Sequence, residues 1–379
     1  MNERQGPLKG LRIVEFAGLG PGPFGGMLLA DLGAEVVQID RPGSSTAHYG
    51  LDPRRNLLHR GRRSLVLDLK TAEGVETALR LVEKADAVIE PNRPGVAEKL
   101  GIGPDACLRR NPRLVYGRIT GWGQTGPRAH HAGHDINYIA LSGALHSIGP
   151  ADDVPAIPNN FVGDMGGGGL YLAFGLLAAL YEAQRSGQGQ VVDAAMIEGA
   201  ALQLMGSLTM KANGLFSDRR GSHYSDGASH FYQVYRTSDG KFLSVGAIEP
   251  QFYRAFLQGL GVADDPDFAR QMDPAAWPAL KAKTAAIIAG RTRAEWDAIF
   301  SADACVAPVL ASGELADDPH LAERGSFVTV DGHVQAAPGP KFSRTPGAIA
   351  HPPPLPGEET DAILRDWGIS AANTPEERI

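Results

Sequence analysis

Two cysteines, Cys107 and Cys305, in 379 residues are too few for a disulfide framework, so the expectation is a reduced, cytoplasmic chain. No apolar run reaches the roughly 20 residues that a bilayer span needs. The longest, Leu170 to Tyr181, reads as a buried core helix, and no membrane insertion is expected. Positive charge is in deficit: the formal net charge of −7 argues against nucleic acid as a partner but leaves room for a local basic patch. There is no internal repeat and no collagen-like period, although Gly (47) and Pro (27) are abundant; these mark a loop-rich globular enzyme. Met1 to Gly10 carries no apolar segment, so no secretory signal is expected, and the final Glu-Glu-Arg-Ile is no peroxisomal address.

What the chain does have is 43% hydrophobic residues, enough for a large core, and a length that suggests two or three domains. Leu11 to Phe16 reads as a strand, a glycine turn follows, Phe24 to Leu32 as a helix, and Ala34 to Ile39 as a second strand. Further strands are expected at Ser64–Leu67, Ala87–Glu90, Leu114–Ile119 and Val191–Ala195. Helices are expected at Thr71–Ala85, 170–184 and Met196–Ala212. This alternation predicts an α/β fold: a Rossmann-like, mostly parallel sheet with helices on both faces. Residues 213–229 are polar and Gly/Ser-rich and read as a linker. A smaller α+β domain over 230–325 then opens with a hairpin around Ser238-Asp239-Gly240, with helices at 250–260, 277–289 and 293–301. The large domain is thus expected over 1–212, and residues 326–379 are expected to return to it.

Three motifs fall short of their usual meaning. Gly18-Leu19-Gly20 follows a strand and precedes a helix, and Asp40 ends the next strand, as in dinucleotide sites. The third glycine of that fingerprint would be residue 23, which is Pro, and two prolines remove N–H donors that a pyrophosphate needs. A structural turn explains the loop better than NAD. His130 and His134 have i, i+4 spacing, but Gly133 weakens a helix there and no carboxylate completes the motif, so no metal is expected. Arg41, Arg54, Arg55, Arg60, Arg62, Arg63, Lys70 and Arg93 form a basic region in an acidic chain. That is either a solvated surface or a phosphate site. His134-Asp135, Asp164 and Glu249 offer one imidazole and several carboxylates in loop settings, which is acid/base potential and no more.

Several stretches resemble the family III CoA-transferase (CaiB/BaiF) superfamily. They are GLRIVEFAGLGPGPFGGMLLADLGAEVVQIDRPG (10–43), EPNRPGVAEKLGIG (90–103), RLVYGRITGWGQTGP (113–127), VGDMGGG (162–168) and GQGQVVDAAM (187–196). The likeness continues through VGAIEPQFY (245–253) and ADACVAPVL (302–310). Asp164 matches the aspartate with which the transferases attack a thioester. The GHDINY segment (Gly133 to Tyr138) and Glu249 instead resemble the α-methylacyl-CoA racemase branch, bacterial type, since the transferases lack that histidine.

The resemblance implies a cofactor-independent racemase acting on 2-methylacyl-CoA thioesters, with CoA carried by the substrate; a CoA transferase using Asp164 as nucleophile is the alternative. His134 and Asp164 would be the acid/base pair on opposite faces of the α-carbon. The N–H of Asp135 would hold the enolate oxygen, and Glu249 would orient the imidazole. CoA would lie on Arg41, Leu67-Asp68-Leu69-Lys70, Pro91-Asn92-Arg93 and Gly133 to Tyr138. Lys99 stands where these racemases tend to carry Arg, so that contact loses the bidentate fork. Leu19, Met196 and Met205 are candidates for an apolar surface under the acyl chain. The superfamily's interlocked homodimer is expected, with Glu249 meeting the pair across the interface.

Overall fold

The computed structural model describes residues 4–43 and 50–369; the C-terminal Glu-Glu-Arg-Ile lies outside them. The chain forms two compact units. One comprises Met1–Ser142, Asn159–Gln203 and Gly325–Ile379, the other Gly143–Pro158 and Leu204–Arg324.

The first unit is built on six strands: β1 (Arg12–Phe16), β2 (Glu35–Asp40), β3 (Arg62–Val66), β4 (Ala87–Glu90), β5 (Val115–Thr120) and β6 (Gln190–Ala195). Their order is β3-β2-β1-β4-β5-β6, and every pairing is parallel. This is the doubly wound arrangement, and the order reverses between β1 and β4, where such sheets open a ligand crevice at the carboxyl ends of the strands.

Helices accompany the sheet: α1 (Pro21–Asp31), α2 (Ala72–Lys84), α3 (Val96–Lys99), α4 (Pro104–Arg110), α5 (Asp135–Ser142), α6 (Tyr171–Ser186) and α7 (Met196–Leu202). Successive strand residues serve opposite faces. Val14, Val37 and Val88 join a core with Leu81 and Val82 of α2, while Ile13, Val36 and Ile89 join one with Leu29 of α1 and Leu172 and Leu176 of α6. Burial on both faces is why these strands read as unbroken apolar runs.

The run expected as a short buried helix is part of something longer. Phe161–Leu170 is wound as a π-helix and continues into α6, giving 26 helical residues. By length and composition alone that helix could cross a membrane. One face packs on the sheet, but Phe174 is 70% and Tyr181 64% exposed, so the helix is only half buried. Sequence hydrophobicity reports the apolar face without saying whether this chain covers it.

The second unit begins with α8 (Met205–Ala212). The expected single helix 196–212 is therefore two, broken at Gln203 and Leu204, and the unit boundary falls there rather than at the expected linker. Residues 143–158 also join this unit, tied in by Arg220, whose guanidinium donates to the carbonyls of Pro150, His146 and Asp153. Strands β7 (Tyr232–Arg236), β8 (Phe242–Gly246) and β9 (Val306–Val309) form an antiparallel sheet. Helices α9 (Pro250–Leu260), α10 (Trp277–Ile288), α11 (Arg293–Ile299) and α12 (Pro319–Glu323) complete the unit, around a core with Phe231, Phe256 and Trp296. The chain then returns to the first unit with the hairpin of β10 (Phe327–Val330) and β11 (His333–Ala336), and with α13 (Thr360–Asp366). Ile363 of α13 and the adjoining Trp367 enter the β1–β4 core.

Candidate active site

Asp164 sits in the first turns of the 161–170 π-helix. Glycines let that segment lie against its neighbours: a Cβ on Gly167 would stand 2.6 Å from the backbone nitrogen of Ala200 in α7. The amide of Asp164 donates to Asp135 Oδ1 at 2.7 Å, and Asn160 Nδ2 donates to Asp164 Oδ2 at 3.4 Å. The Asp164 carboxyl overlies the loop after β1, where a Cβ on Gly20 would be 3.3 Å from Oδ2. Gly20 has φ +60, which an L side chain rarely adopts, so it is glycine for two reasons.

Burial pushes the Asp164 carboxyl above the usual carboxylate range. Asn160 lowers it, the neighbouring Asp135 charge raises it, and His134 lowers it. A raised carboxyl holds its proton nearer to neutral pH, as an acid/base group requires.

His134 stands exposed immediately before α5. Its amide donates to Asn137 Oδ1 at 3.0 Å, and its carbonyl accepts from the amides of Asn137 and Tyr138. Asp135 opens the helix, so its N–H is among the first-turn donors that have no partner within the helix. Asp135 is only 7% exposed, and its Oδ2 has no hydrogen-bond partner among the described residues. Tyr138 is buried: its hydroxyl donates to the Gly133 carbonyl and its ring meets Trp122 edge-on at 4.9 Å. Burial raises the Tyr138 phenol further, with Asp164 adding to the shift and the exposed Arg93 opposing it. The fold thus gathers Gly133, His134, Asp135, Tyr138 and Asp164, with Arg93 within electrostatic reach.

A second feature opens at the carboxyl ends of β1 to β4, at the switch point. It is a cavity of about 320 Å³ whose wall includes Arg41, Asp68, Leu69, Lys70 and Asn92. Leu67 is not in its wall: the Leu67 amide donates to the Asp40 carbonyl, and the side chain packs on the core. Pro91 packs on the β1 loop instead, so close that a Cβ on Gly18 would collide with its ring, and Lys99 ends α3 on an exposed face. Glu249 belongs to the other unit, exposed just ahead of α9, where its carbonyl accepts from the amide of Tyr253.

The basic region divides. Arg60 is buried against Asp31 at 2.6 Å and Arg62 against Glu15 at 2.8 Å. Arg63 pairs with Glu35, Glu359 and Asp366, Arg54 with Glu358, and Arg55 with Asp52. These are structural or surface pairs rather than parts of a phosphate site. Arg41, Lys70 and Arg93 enter no ion pair among the described residues. Met196 is also removed from the apolar surface: it is buried against Gly168, while Leu19 and Met205 are exposed, each in its own unit.

Sequence reading missed the polar floor of the cavity. Asp40 is buried and accepts from Gln38 Nε2 at 3.0 Å on each oxygen and from Ser64 Oγ at 2.7 Å. Gln38 and His59 carried no motif. Their only signal was polarity at positions where a buried strand and its neighbour should be apolar.

The CoA-transferase family III model matches residues 8–360. Alpha-methylacyl-CoA racemase of Mus musculus is 47% identical over 96% of this chain and 94% of its own length, and that of Homo sapiens is 46% identical over the same shares. A crystal structure of a CAIB/BAIF family protein from Brucella suis superposes with TM-score 0.80 at 28% identity, covering 96% of this chain and all of that one. With the Asp164 and His134 segments seated on a doubly wound sheet and the family model spanning nearly the whole chain, this protein belongs to CoA-transferase family III.

Proposed function

We propose that this chain is a racemase that interconverts (R)- and (S)-2-methylacyl-CoA thioesters by moving the α-proton through an enolate. The observation that carries the reading is the joining of Asp164 to the residue after His134: the Asp164 amide is bound by Asp135 Oδ1, so an imidazole and a half-buried carboxyl of raised proton affinity are held in one site. The near-half identity to racemases, with GHDINY intact, supports this over CoA transfer.

His134 takes the α-proton from one enantiomer while Asp164, protonated, returns one to the opposite face; for the other enantiomer the roles reverse. The thioester carbonyl accepts the charge, and the first-turn N–H of Asp135 stabilises the oxygen. No cofactor is needed beyond the CoA of the substrate. Its phosphates meet Arg41 and Lys70 at the cavity, and Asn92, Arg93 and the 133–138 turn guide the thioester arm.

The working form is an interlocked homodimer in which Glu249 of a second copy fixes the tautomer of His134. The uncovered apolar side chains of α6 support an assembly that buries them. A location in the reducing cytoplasm is expected of a chain of this length with only two cysteines.

Incubation of a chiral 2-methylacyl-CoA in D2O, without an acceptor acid, tests the reading. Loss of optical purity with deuterium at the α-carbon is expected. Transfer of CoA to an added carboxylate with the α-proton retained would make the chain a transferase using Asp164 as nucleophile.

A further inference from the structure

The floor of the switch-point cavity contains a hydrogen-bond chain that fixes the state of one ring. Burial raises the Asp40 carboxyl, but the donors Ser64 and Gln38 and the Arg62 charge favour its ionised form. A carboxylate can only accept, so the Gln38 amide turns its NH2 toward it, with both contacts at 3.0 Å. Gln38 Oε1 then faces His59 Nδ1 at 2.8 Å. An amide oxygen can only accept, so Nδ1 must carry the proton. Ser64, donating to Asp40 at 2.7 Å, anchors the far end of the chain. His59 is 9% exposed and belongs to the cavity wall, and its remaining nitrogen, Nε2, is an unprotonated acceptor. Burial, aided by the Arg62 charge, holds the imidazole down to about 3, so it is neutral near pH 7.

The cavity asks for one kind of group. Phe16, Leu19, Ile39, Leu69 and Leu100 give it apolar walls, while Arg41 and Lys70 supply cations. A flat ring beside phosphates fits both, and the ring must bring an N–H for the acceptor. In a CoA thioester the group next to the phosphates is adenosine, and its N–H donor is the exocyclic amine.

We propose that His59 is a specificity-determining residue whose Nε2 accepts a hydrogen bond from the 6-amino group of the CoA adenine, with Asp40 and Gln38 as positioning residues that lock its tautomer. The proposal rests on the acyl-CoA reading above. A site built around a buried acceptor rejects an analogue lacking the donor, because the acceptor is then left unpaired.

The test compares the ordinary 2-methylacyl-CoA with its 6-desamino analogue, in which purine replaces adenine, by α-proton exchange in D2O. For the unmodified protein, KM should rise roughly ten- to a hundredfold for the analogue at unchanged kcat. His59→Leu should raise KM for the ordinary ester by a similar factor and no longer distinguish the two. If this variant does not fold, the two esters on the unmodified protein decide the matter alone. Equal KM values for the two esters on the unmodified protein would overturn the role of His59 while leaving the racemase reading intact, and so would discrimination that persists in His59→Leu. Exchange with neither ester would overturn the acyl-CoA reading, and this proposal with it.

Discussion

Asp135 Oδ1 accepts a hydrogen bond from the backbone amide of Asp164 at 2.7 Å, so the residue that follows His134 in sequence holds Asp164 in place. Asp135 therefore has two parts: its own amide opens α5, and its carboxylate both positions Asp164 and raises the affinity of Asp164 for a proton. Asp135→Asn keeps an oxygen for the hydrogen bond and removes the charge. The Asp164 limb of the pH–rate profile should move to lower pH, whereas Asp135→Ala should lower kcat about ten- to a hundredfold through the lost hydrogen bond. A pH series of deuterium exchange on both variants checks this; an unmoved limb in Asp135→Asn would remove the charge coupling.

His134→Ala should lose about two to four orders of magnitude in α-proton exchange, the usual contribution of a positioned acid/base group. CoA affinity should be unchanged, because the cavity lies at Arg41 and Lys70 and does not include His134. Calorimetric titration with CoA, run beside the exchange assay, separates the two effects.

Gly20→Ala should impair catalysis more than folding. The new Cβ would stand 3.3 Å from Asp164 Oδ2 at φ +60, a strain of about 1–2 kcal/mol. A fall in kcat at nearly unchanged Tm is the expected outcome.

Two arginines of the same basic region should fail differently. Arg62 is fully buried with Glu15, and Arg62→Met would leave that carboxylate unpaired in the core, at a cost of about 3–5 kcal/mol. Arg41→Met should raise KM and leave Tm unchanged. Thermal melts and exchange kinetics on the pair distinguish a structural cation from a phosphate contact.

Stability should fall on the acid side because of His230. The ring is fully buried, its Nε2 meets the Tyr253 hydroxyl at 2.7 Å, and burial lowers it from 6.5 to about 4. The unfolded chain binds the proton first. The stabilisation is therefore complete above pH 6.5 and lost as pH falls toward 4, by about 3 kcal/mol at most. Urea melts between pH 7 and pH 4 should show this slope flattened in His230→Gln; an identical slope would exclude the ring as its source.

The layered α/β architecture was legible before any coordinates, because strands buried on both faces and helices buried on one leave unmistakable hydrophobic periods. Asp164 and His134 were singled out by their resemblance to family motifs; from the residues alone they were loop groups with acid/base potential and no more. Packing in three dimensions settled the rest. Arg60, Arg62 and Arg63 look like Arg41 in sequence, yet carboxylates from distant segments claim them and leave Arg41 beside the cavity. The hairpin of β10 and β11 and the break at Gln203 depend on packing that no local pattern announces. His59 acquired its meaning only when folding set Gln38 between it and Asp40, since a tautomer is fixed by the partner in space and not by the neighbour in the chain.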